Sequence, residues 1–179
     1  MTTRTTIDKD KTAVLIMDFI SFIIDQYASD PTVVDRAARV LGGARNAGIP
    51  IIHVVPGPIG QTTSMVDQIH PTVAPAPEDR FIVKNRIGSF STTGLEALLH
   101  DLGRDTLVLM GVATSGCVLS TFRWALDLNY KLVVVEDGCS DPDPAVHEAL
   151  TGNPHPKSFL TFARHGTVTT SGEFLKALA

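Results

Sequence analysis

The chain has 179 residues, of which 44% are hydrophobic and 19% charged, and it carries 15 Lys and Arg against a net charge of −4. That length reads as a single domain, residues 1–179, burying about two-thirds or more of its unfolded surface with no need of a disulfide or a metal. The composition excludes a disordered chain, and the absence of a basic run interleaved with aromatics excludes a nucleic-acid partner.

Two cysteines, Cys117 and Cys139, are too few for a zinc ribbon or a disulfide scaffold. The apolar runs reach only about six residues, far short of a bilayer span. The first residues lack the apolar core of a signal peptide, so a soluble, cytoplasmic protein is expected.

Short apolar runs ending in polar residues mark the strands. They cover 13–17, ending at Asp18; 49–55, ending at Pro56; 81–83, ending at Lys84; 106–110, ending at Gly111; 131–135, ending at Glu136 and Asp137; and 166–169. Continuous rather than alternating apolar runs suit strands buried on both faces of a parallel sheet. Helical periodicity fills the gaps. Asp30 is the expected N-cap of a helix over 31–47 with a first-turn proline, and Gly48 its stop. Thr92 or Thr93 caps a helix through Leu95, Leu98 and Leu99. Further helices are expected over 117–129, 142–150 and 171–178. Strand alternating with helix predicts an α/β three-layer sandwich, a central mostly parallel sheet of about six strands flanked by helices. The stretch 56–77 is irregular and proline-rich, which reads as a lid, a binding loop or an oligomer contact. The turn-rich 153–157 carries no assigned role.

Ligands of open α/β sheets bind outside the carboxyl ends of the strands. The reactive groups expected there are Asp18, Lys84 and Cys117, joined by Glu136 and Asp137. A thiolate is a nucleophile, a nearby cation lowers its pKa, and a carboxylate shuttles its proton. The segment 111–117 is a small-residue turn from strand into helix. It would put Cys117 near a helix N-terminus, where the dipole favours a thiolate and free N–H groups can hold an oxyanion. Gly111 and Gly116 would permit unusual backbone conformations there. Each of the three groups also has an ordinary structural reading: a turn aspartate, a solvated lysine, a buried apolar cysteine.

The segments AVLIMDF (13–19), FIVKNR (81–86) and GVATSGCV (111–118) resemble the isochorismatase-like hydrolases, or cysteine hydrolase family. The order and spacing of Asp, Lys and Cys match over essentially the whole chain. The resemblance implies a Rossmann-type fold and a catalytic triad of Asp18, Lys84 and Cys117. It implies a cis peptide between Val112 and Ala113, with the Ala113 and Cys117 N–H groups as an oxyanion hole. It implies a homo-oligomer, a dimer or tetramer. Members that hydrolyse nicotinamide hold a metal through an Asp-x-His pair and a further His. Here His53 lies inside a strand without that carboxylate, and His70 is the other nearby histidine, so neither a metal nor another cofactor is expected. The presence of Cys117 argues for C–N hydrolysis of a small amide or carbamoyl compound through a thioester. Ester or vinyl-ether hydrolysis at the same site, or a non-catalytic binding role, are the alternatives.

Phe19, Arg86, Phe90 and Thr114 are the candidate substrate contacts. Phe19, Phe22 and Phe90 could equally belong to the core. Arg86 could bind a substrate carboxylate or form a structural ion pair, and Thr114 and Ser115 could shape the turn. Trp124 is expected to be packed. Cys139, expected past the end of its strand, is an inert thiol or a disulfide partner for Cys117. No membrane contact is expected.

Overall fold

A computed structural model describes residues 6–57, 65–152 and 158–179. The segments 58–64 and 153–157 lie outside the described residues, so of the irregular stretch 56–77 the structure describes 56–57 and 65–77, and of 153–157 nothing. The strands are β1 (Thr12–Met17), β2 (Ile51–Pro56), β3 (Arg80–Lys84), β4 (Thr106–Val112), β5 (Lys131–Ser140) and β6 (Thr167–Thr169). They form one sheet in the order β3-β2-β1-β4-β5-β6, every neighbouring pair parallel.

The helices are α1 (Ser21–Tyr27), α2 (Val33–Asn46), α3 (Leu95–Asp101), α4 (Leu119–Asp127), α5 (Pro144–Thr151) and α6 (Ser171–Leu178). The unbroken apolar strands follow from cover on both faces. Val14 and Ile16 of β1 join a core with α2 and α6. Ala13, Leu15 and Met17 of the same strand join a second core with α3, α4 and Leu150 of α5. The chain builds outward from β1 to β3, then returns to the centre at β4 and builds the other way. The direction therefore reverses between β1 and β4, and a crevice is expected at their carboxyl ends. No helix among the described residues is long and apolar enough to cross a membrane.

Several boundaries differ from expectation. The short helix α1 was not expected, because its seven residues carry no side-chain N-cap and no long apolar period. Helix α2 starts at Val33 with Thr32 as the flanking residue. Asp30 is not its cap; it accepts from the Thr32 backbone and hydroxyl and pairs with Arg36. Gly48 does end α2, at φ +72°, with its N–H on the Arg45 carbonyl. Strand β5 does not stop at Glu136 and Asp137. It bulges there, one residue of β4 facing four of β5, and resumes with Cys139 opposite Gly111. Cys139 is thus inside a strand, and both cysteines are free thiols.

His53, buried in β2, bonds through Nε2 to Asp79 at 3.1 Å and stacks on Phe81. Asp79, just before β3, also accepts from Arg45 of α2 at 2.6 Å and from the Ala76 N–H at 2.9 Å. Burial pushes the His53 imidazole below its ordinary range, and Asp79 only partly offsets this. The donors around Asp79 outweigh its burial and hold its carboxyl low. Both shifts give acid the same sign. Below about pH 6.5 the unfolded chain takes up a His53 proton that the fold resists, and stability falls; Asp79 adds to the loss below about pH 4. His53→Gln keeps a donor for Asp79 and removes the titration. Its melting temperature should therefore fall less steeply than wild type between about pH 6.5 and 5; an unchanged slope in thermal melts would contradict this.

Gly111 needs space rather than an unusual conformation. A Cβ there would lie 2.8 Å from Val118 Cγ2, 3.0 Å from Cys117 Sγ and 3.2 Å from Met17 Cβ. Gly111→Ala should cost about 1–3 kcal/mol of stability and displace the thiol. Urea unfolding midpoints check it, and a variant as stable as wild type would contradict the close packing.

Candidate active site

Three elements bring their ends together at the β1/β4 crevice. Asp18 follows β1 directly. Its N–H donates to the Val54 carbonyl at 2.9 Å, its own carbonyl accepts from Ile20 N–H at 2.8 Å, and its φ is +60°. Aspartate tolerates this left-handed region better than most residues, so the chain turns off the sheet without a glycine.

Lys84 ends β3, two strands away, across a gap of about 10 Å at normal strand spacing. A side chain as long as lysine closes that gap over the end of β2. Its Nζ lies 2.8 Å from Asp18 Oδ2 and donates to the carbonyls of Ile87 at 3.0 Å and Arg86 at 3.3 Å. Lys84 and Asp18 are only 5% and 7% exposed. Taking both charges out of water is costly, and the three acceptors around the ammonium offset that cost. The 85–90 segment that supplies two of them is tied to α4. Ser89 bonds Thr121 through both its N–H (3.1 Å) and its hydroxyl (2.9 Å).

Cys117 lies in a π-type turn, Thr114–Val118, between β4 and α4. The expected uninterrupted helix from 117 is therefore corrected: α4 begins at Leu119. The peptide bond Val112–Ala113 is cis. The Ala113 carbonyl accepts from Gly116 N–H at 3.1 Å and Val118 N–H at 3.4 Å, and the Cys117 thiol points to it at 3.6 Å.

The electrostatics differ from the expected preformed thiolate. Burial, then the negative charge of Asp18, pushes the Cys117 thiol well up, and Lys84 pulls it down only in part. Burial likewise raises the Asp18 carboxyl, against the pull of Lys84 and of the Cys117 thiol. Asp18 Oδ1 has no geometric hydrogen-bond partner at rest. The resting site thus holds a neutral thiol beside the Asp18 carboxyl, whose Oδ2 lies on the Lys84 ammonium. Cys139 is a second buried thiol, pushed up to about 12 chiefly by burial.

Other expectations resolve variously. Asp137 does not face the thiol; both its carboxylate oxygens hold Ser171 at the start of α6. Glu136 lines a separate cleft with Arg36 and His147. Phe19 and Phe90 are buried, one in each core. The Phe19 carbonyl accepts from His70 N–H, and Ile20 pairs with Ile69, so the 65–73 segment is fastened beside Asp18. Arg86 is exposed, and its guanidinium donates to the Asn85 carbonyl at 2.8 Å. Its backbone, not its side chain, serves the site through Lys84. Phe22 and Trp124 are exposed rather than packed. Thr114 is fully buried, its hydroxyl 2.8 Å from His147 Nδ1. The Ser115 N–H bonds Asp141 at 2.7 Å. Asp141, His147, Ser89 and Thr121 were missed by sequence reasoning, since their contacts are long-range and no local pattern marks them.

His53 and His70 do not fit a metal site. His53 is committed to Asp79, beside the Arg45 guanidinium that disfavours a cation, and His70 Nδ1 accepts from Thr72 N–H. Among the described residues, no three His, Cys, Asp or Glu side chains converge on a metal position.

Comparison with known proteins agrees with this architecture. The chain is 30% identical over 150 residues to the isochorismatase family protein YddQ of Bacillus subtilis, covering 79% of this chain and 83% of YddQ. It is 30% identical over 132 residues to streptothricin hydrolase of Streptomyces noursei, covering 70% of this chain but 48% of that protein. The crystal structure of N-carbamoylsarcosine amidase from Thermoplasma acidophilum superposes with a TM-score of 0.71 at 25% identity, over 90% of this chain and 96% of that one. The Isochorismatase domain model matches residues 12–164. With the six-stranded parallel sheet, these matches place the chain in the isochorismatase family of hydrolases.

Proposed function

We propose that the chain is a cysteine amidohydrolase, cleaving the C–N bond of a small amide or carbamoyl compound without a metal. The observation that carries this reading is the buried Asp18 carboxyl, held by Lys84 at Oδ2 and close enough to the Cys117 thiol for each to shift the other's protonation. The name N-carbamoylsarcosine amidase, borne by a protein of the same fold, supports the bond class.

The proposed steps use the groups gathered around Cys117. Asp18 takes the Cys117 proton as the sulfur attacks the substrate carbonyl, so the thiolate forms only during attack. Lys84 keeps Asp18 charged despite its burial and balances the negative charge that moves to sulfur. The Ala113 and Cys117 N–H groups hold the carbonyl oxygen as it becomes an oxyanion. Asp18 returns the proton to the leaving nitrogen. The C–N bond breaks, an amine or ammonia departs, and a thioester remains. Water, deprotonated by Asp18, cleaves the thioester to the acid and restores the thiol. Phe19 and Phe90, buried to either side, bound the apolar part of the site, and the buried Thr114 shapes its turn. Solution work would look for a soluble cytoplasmic oligomer acting on a small molecule.

Ammonia release from a panel of small primary amides and carbamoyl compounds tests the reading. Wild type should release ammonia with or without a chelator. Cys117→Ser should fold normally and lose on the order of 10⁴-fold or more. Undiminished release by that variant, or loss with the chelator, would overturn it. Asp18→Asn keeps a residue tolerant of the left-handed turn and removes the base, so it should be as inactive as Cys117→Ser. The acid limb of wild-type kcat/KM should report the raised Asp18 carboxyl, with an apparent pKa above the ordinary value of about 3.9. A limb at or below that value would contradict the assignment of Asp18 as base.

A further inference from the structure

The turn that carries Cys117 is held from outside by two groups the proposed mechanism does not use. Asp141, buried just after β5, accepts from Ser115 N–H on Oδ2 at 2.7 Å and from Asp143 N–H on Oδ1 at 3.3 Å. Asp143 in turn caps α5, accepting from Ala145 N–H at 2.9 Å. One turn further along α5, His147 Nδ1 lies 2.8 Å from the hydroxyl of Thr114, a residue with no exposure. The start of α5 therefore grips the turn at two consecutive residues, one by backbone and one by side chain. Within the turn, the Ala113 carbonyl is the shared acceptor, so its position depends on these outer bonds.

We infer that His147 is a positioning residue for hydrolysis, fixing Thr114 so that the Ala113 and Cys117 N–H groups keep their places about the substrate carbonyl. The inference rests on the proposed reading of Cys117 as nucleophile. The chemistry of the contact supports it. Burial, above all, holds the imidazole below its ordinary range, so it is neutral at pH 7 and its Nδ1 can accept. In the tautomer with its proton on Nε2, the ring accepts from the Thr114 hydroxyl. His147 also borders a cleft of about 440 Å³, with Ser29, Glu136 and Ser140 among its other walls. That space lets the side chain be exchanged without overpacking. A buried hydroxyl without its acceptor must find another, and the turn shifts to provide it.

A double-mutant cycle with conservative rescue tests this. His147→Leu removes the acceptor, while His147→Asn restores one at the same position along the side chain. His147→Leu should lower kcat about tenfold or more with KM changed less than about twofold, and His147→Asn should keep most of the wild-type rate. Thr114→Val should match His147→Leu, and the double variant should lose no more than either alone. Losses that multiply in the double variant, or equal losses in Leu and Asn, would overturn the inference. Amide hydrogen exchange of residues 113–118 gives an arm that needs no substrate. Exchange should quicken about tenfold in His147→Leu and stay near wild type in His147→Asn, with the rest of the sheet unchanged. Unchanged exchange in His147→Leu would refute the positioning role. A wild-type chain that cleaves no amide would instead refute the proposed function, and the exchange arm would still decide the role of His147.

Discussion

Everything at the crevice depends on a buried ion pair, Asp18 to Lys84 at 2.8 Å. Two buried charges persist only when each is compensated, and here the fold supplies the compensation. The ammonium reaches across the end of β2 and rests on the Arg86 and Ile87 carbonyls. The carboxylate sits on the left-handed turn that leaves β1. Removing either partner leaves an uncompensated charge in the core. The pair is thus a constraint on folding, and it sets a carboxyl beside the Cys117 thiol, where the proposed mechanism needs its base.

This arrangement bears on how the proposed nucleophile, Cys117, would be activated. A cysteine at a strand-to-helix turn beside a lysine suggests a resting thiolate. Burial opposes that charge, and the nearby Asp18 opposes it further. The chemistry that fits is coupled, with the proton leaving sulfur as sulfur attacks, so negative charge is moved rather than stored. The close approach at Gly111 serves the same end, since the thiol packs against the carboxyl end of β4 with no side chain between.

Much of this was legible in the sequence because strand ends are. Apolar runs stop where a parallel strand leaves its cover, and the residue at the stop lies at the crevice. Asp18 and Lys84 were found this way, and Cys117 from the small-residue turn that follows the fourth run. The same rule failed at Glu136 and Asp137, where two charges in a row mark a bulge and not an end. The short helix α1 escaped because its local signals are weak. The clamp from Asp141 and His147 and the support of the Lys84 loop by Ser89 and Thr121 escaped for a different reason. Each joins residues about 26 to 33 positions apart, through contacts that exist only once the chain has folded. The protonation of Cys117 belongs with them, because burial is a property of the whole fold.

The central claim is that the acyl group of the substrate passes through Cys117. Acid quenching during amide turnover, followed by peptide mass spectrometry, tests it most directly. The account predicts the acyl mass on the peptide that contains Cys117, released by hydroxylamine as a thioester should be. The acyl group found on Cys139, or on any side chain other than Cys117, would contradict it.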